Sequence, residues 1–511
     1  MGRARTERRA MRKTGGERRR ARAELRQRQR ACGLQPAVKA TVANHLSRYD
    51  SLEQEREARE DAVSEKVAIL QAKLPVLLRR LAKIADPRNP KKIKHKLTSL
   101  MVYGVLGFVL QVASRREANR EMSRAVFKEN LLFLFPDLEN IPHHDTLMRL
   151  LDRIDVEQIQ EAQIELLRSL MRKRKFQGYL VDGCYPIAID GTQKFCSSKL
   201  WDARYLERQV GDENNRSTQY YLYVLEANLA FRGGMTIPLM SEFLDYQQGD
   251  SGREKQDCEL RAFYRLVDRL QRAFPRLPIM LLLDGLYPVG PVMELCKSRG
   301  WEYMIVLQDG SLPQVWQEYR GLVKLLEPED RHQMTWGPRH QRFHWVNEIE
   351  YTYEVGGRKR SVKVHLVVCE ESWQDIDTET AKVVSKTARH VWLSSRPLSR
   401  HNVHERCNLA ARHRWAIESS ILVEKRCGYH YEHCFAYSWA AMKGYHYLMR
   451  IGHLLNVLAH HSTHLAELVQ ELGVRGLIWF IRQTLGAPWL DHARVRERLS
   501  HPRQLRLALS T

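Results

Sequence analysis

Two apolar strands in this sequence end at an aspartate, and these two carboxylates are the first candidates for chemistry. The stretch PIAIDGTQKF, residues 186–195, leads into Asp190 and then a predicted Gly-Thr turn. The stretch LPIMLLLDGLYP likewise leads into Asp284 and Gly285. A run that is apolar on every side is typical of a central strand covered by helices. Carboxylates at the carboxyl ends of such strands are predicted to face the crevice where α/β sheets bind ligands.

Two neighbouring carboxylates repel each other unless they share a proton or a cation neutralises them. A hard cation such as Mg²⁺ would require a third oxygen ligand. The best candidate is Glu418, in RHRWAIESSILVEK of a helix predicted at about 402–426. Arg414 lies four residues before Glu418 and Lys425 seven after it, so all three are predicted on one helix face. Such cations could bind phosphates beside the metal, although the spacing is also that of an ordinary Arg–Glu salt bridge.

The charge of the chain favours a polyanionic partner. Its 511 residues, enough for several domains, carry 82 Lys and Arg against 60 Asp and Glu, a surplus of 22. Residues 1–30 hold thirteen Lys or Arg and three Glu, a net charge of +10. Residues 1–36 are therefore predicted to be a disordered basic arm that binds phosphates without reading sequence, or a solvated tail that binds nothing specific.

Residues 37–177 are predicted to form a helical DNA-binding domain, because their apolar residues recur at helical spacing. Arg115 and Arg116 in RREANR are candidate DNA contacts, and a plain helical scaffold remains an alternative. The apolar stretch 97–113 is predicted to be a buried helix rather than a membrane span. Nine scattered cysteines and the absence of a signal-peptide pattern favour reduced thiols in the cytosol.

From residue 178 the pattern changes to alternating strands and helices. Strands are predicted around Asp190, at 218–231, 235–244, 279–283 and 301–310, with a helix at about 252–274. Asp190 and Asp284 are 94 residues apart, and Asp284 and Glu418 are 134 apart. The second interval is longer than one strand and one helix need. Its additional residues, about 318–395, are predicted to form strands with a hairpin turn at EVGGRKR. The fold class predicted is therefore α/β with a β-rich insertion.

Taken together, AIDGT, LLLDGLYP and RHRWAIESSILVEK resemble the Asp-Asp-Glu (DDE) transposases of bacterial insertion sequences over roughly 86–455. Arg414, Glu418 and Lys425 match the glutamate motif in identity and spacing, whereas Ala411 stands where that motif has a Tyr. DPR at 86–88, IPHHDTLMRLL and KQDCELRAFYRL are also similar to such transposases. The resemblance implies an RNase H-like, integrase-like catalytic domain at 178–455 with the β-rich insertion, followed by a helical region at 456–511.

The resemblance also implies a mechanism and its partners. Two Mg²⁺ or Mn²⁺ ions would be held by Asp190, Asp284 and Glu418, with Asp190 bridging both ions. Arg414 and Lys425 would hold phosphates of the transposon ends. The enzyme would bind terminal inverted repeats in double-stranded DNA, cleave them and transfer the 3′-hydroxyl strands to target DNA, as a homodimer or larger assembly. No nucleotide cofactor or membrane is implied, and the expected location is the nucleoid of a prokaryotic cytoplasm.

Several further residues have both a functional and a structural interpretation. Trp336 and Trp345 could stack a displaced base, as an aromatic does in relatives, or form the core of the insertion. Lys194 and Lys199 could contact DNA or lie in a solvated loop. Glu226 and Glu242 could supply an extra carboxylate, but a surface position is the expectation. The segment RCGYHYEHC resembles a zinc cluster yet lacks a second clip, so helix and turn are expected.

Two other functions remain open on the sequence. One is an RNase H-fold nuclease or resolvase that cuts branched DNA without strand transfer. The other is a domesticated DNA-binding protein with an inactive site. Assays of cleavage, strand transfer and binding separate the three.

Overall fold

The helices and strands of this mixed α/β protein fall into two units. The computed structural model describes residues 2–36, 42, 44, 46–212, 215–245, 258–501 and 504–508. Unit 1 consists of Met1–Ala40 and Pro278–Arg412, and unit 2 of Thr41–Leu277 and His413–Thr511. These units cut across the predicted boundaries at 177/178 and 455/456, because the helices before and after the strands of unit 2 pack with those strands.

The first half of unit 2 is helical, as the apolar periodicity predicts. Ser51 and Ser114 cap helices α2 and α5 by accepting hydrogen bonds from the backbone N–H groups of Gln54 and Glu117. The predicted apolar helix at 97–113 is α4, and its residues are buried almost all round. The helices are α2 (Leu52–Gln71), α3 (Leu74–Leu81), α4 (Leu97–Val109), α5 (Arg115–Glu121), α6 (Ala125–Leu134), α7 (His144–Leu151) and α8 (Glu157–Arg172).

Four antiparallel strands and a helix follow in unit 2. They are β1 (Tyr185–Ser197), β2 (Leu206–Val210), β3 (Ser217–Ala230), β4 (Thr236–Phe243) and α9 (Glu259–Ala273). Strand β3 is central, pairing with β1 along one edge and with β2 and then β4 along the other. The predicted helix at 252–274 is observed from Glu259 onward, and residues 252–257 lie outside the described residues.

The end of the chain adds four helices to unit 2: α12 (Trp415–Arg426), α13 (Trp439–His460), α14 (Ala466–Leu485) and α15 (His492–Ser500). Helix α13 is buried along most of its length and packs on α4 and α7. Its glycines permit close approach, since a Cβ on Gly444 would lie 2.8 Å from Leu151 Cδ2 and one on Gly452 would lie 2.7 Å from Phe108 Cβ. Helices α14 and α15, which lie within the predicted C-terminal helical region, both pack on α2 of unit 2.

Unit 1 contains a second set of strands, ordered β5-β6-β10-β9-β8-β7. Only β5 and β6 are parallel among these pairs, and the others are antiparallel. The predicted hairpin turn is observed between β8 and β9, where Gly356 and Gly357 both have positive φ (58° and 73°). The elements are β5 (Ile279–Leu283), α10 (Gly290–Ser298), β6 (Glu302–Val306), α11 (Pro313–Leu322), β7 (Arg331–Trp336), β8 (Arg339–Val355), β9 (Arg358–Ile376) and β10 (Val383–Ser394).

The basic arm is helical rather than disordered. Helix α1 (Gly2–Ala31) packs against β9. Leu25 and Gln29 are buried, and Gln29 Nε2 donates to Gln374 O at 3.4 Å. These contacts correct the prediction of a disordered arm. Leu25 and Gln29 are four residues apart and so lie on one face of α1, which packs against β9.

Two further findings concern the cysteines and the apolar helices. The nine cysteines, all within the described residues, are free thiols. Within the same residues, no helix is both long and apolar enough to span a lipid bilayer.

Candidate functional site

Asp190 is a half-buried side chain within β1. The five residues before it, Tyr185–Ile189, are buried. The strand does not stop at Asp190, as the Gly-Thr pair had predicted, but continues to Ser197. Gly191 permits close packing of neighbouring side chains, because a Cβ at this position would lie 2.5 Å from both Glu259 Oε2 and Tyr223 Cε1. The carboxylate of Asp190 is thus presented from a tightly packed strand, and its Oδ1 accepts a hydrogen bond from Gly191 N at 3.1 Å.

A second carboxylate lies beside Asp190 on the neighbouring strand. Glu226 is the Cα partner of Asp190 in the β1–β3 register, and directly opposed residues project from the same face of a sheet. Glu226 is fully buried, and Glu242 on β4 is 9% exposed, so the expected surface positions are wrong for both. Glu242 is compensated by Arg265 (2.7 Å) and Arg269 (2.6 Å). An alternation of apolar and polar residues marks a strand with one buried face. These strands are covered on both faces, so that alternation could not predict the burial of Glu226 and Glu242.

Asp284 belongs to unit 1 and follows β5, whose five residues are all buried. Its Oδ1 accepts a hydrogen bond from Leu286 N at 2.8 Å, which shapes the turn after the strand. Gly285 permits close packing, since a Cβ there would lie 2.6 Å from Gln308 Nε2. The predicted geometry of an apolar strand ending at a half-exposed carboxylate is therefore observed.

Glu418 lies in the first turn of α12, which is shorter than the predicted helix. Residues Glu405–Ala410 form a π-helix and Ala411–Arg414 a 3₁₀ turn before α12 begins. Arg414 Nη2 donates to Glu418 Oε1 at 2.8 Å, while the Glu418 side chain stays 38% exposed. Lys425 pairs with Glu432 at 3.1 Å. The Arg414–Glu418 pair predicted from the spacing is present, and it leaves part of the carboxylate open to solvent.

The remaining candidate DNA contacts differ in exposure. Lys199 and Arg116 are exposed, and Arg115 is half-buried and pairs with Asp145 at 3.2 Å. Trp336 is half-buried, and the Arg412 guanidinium lies 5.0 Å from its ring centroid.

Two predicted DNA contacts are corrected by burial. Lys194 is 4% exposed and donates from Nζ to Tyr431 O at 2.9 Å. Burial lowers the pKa of Lys194 to about 8. Trp345 is 1% exposed within β8, so it belongs to the core of the insertion and cannot stack on a base.

The donor chemistry of the predicted ligands suits Mg²⁺, since all three are carboxylates and hard cations prefer oxygen ligands. Asp190, Asp284 and Glu418 all retain solvent-accessible side-chain surface. Across the residues that the structure describes, no group of three or more His, Cys, Asp or Glu side chains is close enough to hold a metal ion. The ligand set therefore stays a prediction. The same finding covers the zinc-like segment, where Cys434 Sγ donates to Ala436 O.

Comparison with known proteins provides one family match. Residues 78–167 match the family model DDE_Tnp_1-associated, a segment that runs from α3 to α8 and contains DPR and IPHHDTLMRLL. No curated protein sequence matches the chain. A cryo-EM structure of the piggyBac transposase synaptic complex with hairpin DNA shares 12% identity, with a TM-score of 0.32 over 88% of this chain and 87% of that chain. That likeness is too weak to establish the fold, whereas the family match supports a DDE-type DNA transposase in general.

Proposed function

We propose that this protein is the DDE transposase of an insertion sequence, with an RNase H-like catalytic core. It binds the terminal inverted repeats of its own element, cleaves the ends and transfers the 3′-hydroxyl strands to target DNA. The observation that carries the proposal is the match of residues 78–167 to a transposase-associated family. Asp190, Asp284 and Glu418, which lie outside that segment in motifs similar to those of DDE transposases, support it.

Asp190, Asp284 and Glu418 would hold two divalent ions, Mg²⁺ or Mn²⁺. When bound, the ions would supply an activated water or 3′-hydroxyl and would stabilise charge on the departing oxygen. The chain's own part is to orient these carboxylates. Arg414 contributes by holding one oxygen of Glu418 through the 2.8 Å hydrogen bond, which leaves the other oxygen available.

Cationic side chains of each unit would bind the DNA backbone. Arg414 is only 7% exposed, which corrects its prediction as a phosphate contact, and its part is to hold Glu418. Lys425 on α12 and the exposed Lys199 and Arg116 are the candidate phosphate contacts of unit 2. Helix α1 adds exposed arginines to unit 1, including Arg19, Arg20, Arg22, Arg28 and Arg30. Contacts of this kind give affinity that depends steeply on salt and carries no sequence information. Trp336 remains the aromatic candidate for stacking a displaced base.

Two transposon ends must be joined in one reaction, so we propose a homodimer or larger assembly on DNA. The same substrate argues for action at the nucleoid of a prokaryotic cell. Both proposals follow from the proposed reaction. Sedimentation of the protein with and without end DNA measures the proposed oligomeric state.

The test uses labelled DNA that carries the inverted repeats bordering the reading frame, a target plasmid and Mg²⁺. The wild-type protein is expected to nick the ends and to form strand-transfer products. Asp190→Asn, Asp284→Asn and Glu418→Gln should each reduce both products at least 100-fold while end binding persists. Glu467→Gln, which neutralises an exposed carboxylate on α14, is the matched control.

The outcomes separate the competing functions. Cleavage without strand transfer identifies a nuclease or resolvase. End binding with no cleavage in Mg²⁺ or Mn²⁺ identifies an inactive DNA-binding protein. Undiminished cleavage by all three carboxylate variants rejects the assigned site.

A further inference from the structure

A buried network of charged side chains joins strand β3 to helices α12 and α13 in unit 2. Glu226, Glu424 and Arg450 form its centre, and each is at most 1% exposed. Arg450 Nη1 donates to both carboxylate oxygens of Glu424, at 2.9 and 3.1 Å, and Arg450 Nη2 lies 3.2 Å from Glu226 Oε2. One guanidinium therefore holds a carboxylate of the sheet and a carboxylate of α12. We call these three residues the Arg450 bridge.

Further donors complete the hydrogen bonding of Glu226. Tyr431 Oη donates to Glu226 Oε1 at 2.8 Å, and Ser241 Oγ donates to Oε2 at 2.6 Å. Lys194 on β1 joins the network by donating to Tyr431 O at 2.9 Å, and its Nζ lies 3.3 Å from His446 Nδ1.

Glu424 is also held from more than one side. His453 Nδ1 lies 2.6 Å from Glu424 Oε1, and Arg450 binds both carboxylate oxygens. A buried charge is tolerated only when it is paired and hydrogen-bonded, and both carboxylates meet that condition. All of these contacts lie within unit 2, and the buried Nε of Arg450 has no hydrogen-bond partner among the described residues.

The bridge lies next to two of the three proposed metal ligands. Glu226 is the cross-strand partner of Asp190 and projects from the same sheet face. Glu424 follows Glu418 by six residues on α12, about 9 Å along the helix axis. Arg450 therefore connects the strand beside Asp190 to the helix that carries Glu418.

Stability alone does not account for such a bridge. Buried ion pairs often contribute less stability than apolar side chains of the same volume, although removing one partner alone is strongly destabilising. A charged bridge favours one geometry, because Arg450 lies between two carboxylates and a shift of α12 would lengthen its charge-assisted hydrogen bonds to Glu424.

We propose that Arg450 is a positioning residue, which fixes α12 against the β1–β3 strands and thereby sets the position of Glu418 relative to Asp190. The consequence for catalysis rests on the proposed function, whereas the mechanical tether does not. Glu226 and Glu424 act with Arg450, and none of the three contacts DNA.

The experiment compares three variants of the full-length protein. The main variant, Glu226→Gln/Glu424→Gln/Arg450→Met, neutralises the three residues of the Arg450 bridge together, so that none of these three is left as an unpaired charge. Arg450→Met alone leaves both carboxylates without their shared cation, and its difference from the triple variant measures the effect of those unpaired carboxylates. Arg450→Lys keeps a cation at this position and is the conservative rescue variant. The matched control, Glu242→Gln/Arg269→Met, disrupts another ion pair of unit 2 that is not on α12, in which Glu242 is buried and Arg269 is half-buried.

Three measurements are made on each variant: amide hydrogen exchange across α12, binding of end DNA, and the Mg²⁺ concentration for half-maximal end cleavage. The triple variant should bind end DNA within twofold of wild type. Its α12 amides should exchange at least tenfold faster, and its Mg²⁺ requirement should rise severalfold. Arg450→Lys should recover part of both effects, and the control should show neither.

Wild-type exchange across α12 in the triple variant would overturn the tether. Faster exchange with an unchanged Mg²⁺ requirement would overturn the positioning role. If α12 exchanges faster but even the wild-type protein fails to cleave end DNA, the tether stands and the proposed transposase function fails.

Discussion

Glu371 on β9 is the centre of an ion-pair cluster in unit 1, and neutralising it should destabilise that unit. Its buried carboxylate accepts a hydrogen bond from Gln341 Nε2 at 2.6 Å and lies 2.7 Å from Arg339 Nη1. Arg412 also pairs with Glu371, and His390 Nε2 lies 3.5 Å away. Burial by itself raises the pKa of Glu371, but His390, Gln341 and the two arginines outweigh burial and lower the pKa to about 2.

The magnitude follows from this pKa. The difference between 4.5, the ordinary value, and about 2 corresponds to about 3 kcal/mol of unfolding free energy at neutral pH. Because the folded-state pKa is depressed, this contribution is complete above about pH 4.5 and is lost as the pH falls toward 2. At pH 3 less than half of it should remain, roughly 1.4 kcal/mol.

The assay is urea unfolding of Glu371→Gln at pH 7 and pH 3, followed by tryptophan fluorescence. Trp373 and Trp336 report on the cluster, since Arg339 lies over the Trp373 ring and Arg412 over the Trp336 ring. The variant should be about 3 kcal/mol less stable than wild type at pH 7, with a smaller difference at pH 3.

Glu370→Gln is the matched control. Glu370 is the adjacent residue on the opposite, exposed face of β9, and it pairs with Arg342 at 3.4 Å. An exposed pair of this kind contributes only about 0–1 kcal/mol. A loss below about 1 kcal/mol for Glu371→Gln at pH 7, or a loss equal at both pH values, would refute the reasoning.

Three further predictions concern the candidate DNA-binding and catalytic elements. For the binding of end DNA, Lys199→Ala should reduce the slope of log binding constant against log salt concentration by about one. Lys194→Met should leave that slope unchanged and lower the thermal stability of the protein. Equal slopes for the two variants would reject the contact at Lys199. Trp345→Ala should cost about 3–5 kcal/mol in urea unfolding because the side chain is core, and Trp336→Ala should cost far less; similar losses would contradict the assigned burial. Gly191→Ala should lower the melting temperature and end cleavage together, because the added methyl group overlaps neighbouring side chains; wild-type values for both would show that the strand can shift.

Local pattern was sufficient to predict most elements of secondary structure. The five apolar residues before Asp284 form β5, and the two glycines of EVGGRKR form the hairpin turn. Both features depend on neighbouring residues only, through continuous apolarity and the tolerance of glycine for positive φ. The Arg414–Glu418 pair followed in the same way from spacing on a helix. Strand β2 and the π-helix at Glu405–Ala410 were missed, since no local periodicity marks either.

Burial of polar residues could not be predicted from the sequence. Glu226, Lys194 and Glu424 look like ordinary surface residues in a charged chain, yet all three are buried in unit 2. Their burial depends on which elements cover both faces of β1 and β3, and α12 and α13 come from positions about 200 residues later in the chain. Trp345 was ambiguous for the same reason.

The sequence by itself determined the acidic residues and cations that could do chemistry and the type of local element that carries each of them, because those properties depend on residue identity and short-range spacing. Only the tertiary structure decided which charges are buried and paired. Pairing across Arg450 requires a strand residue and two helices, far apart along the chain, to meet in one core. No short-range rule specifies that meeting, because it is the packing of whole elements that determines it.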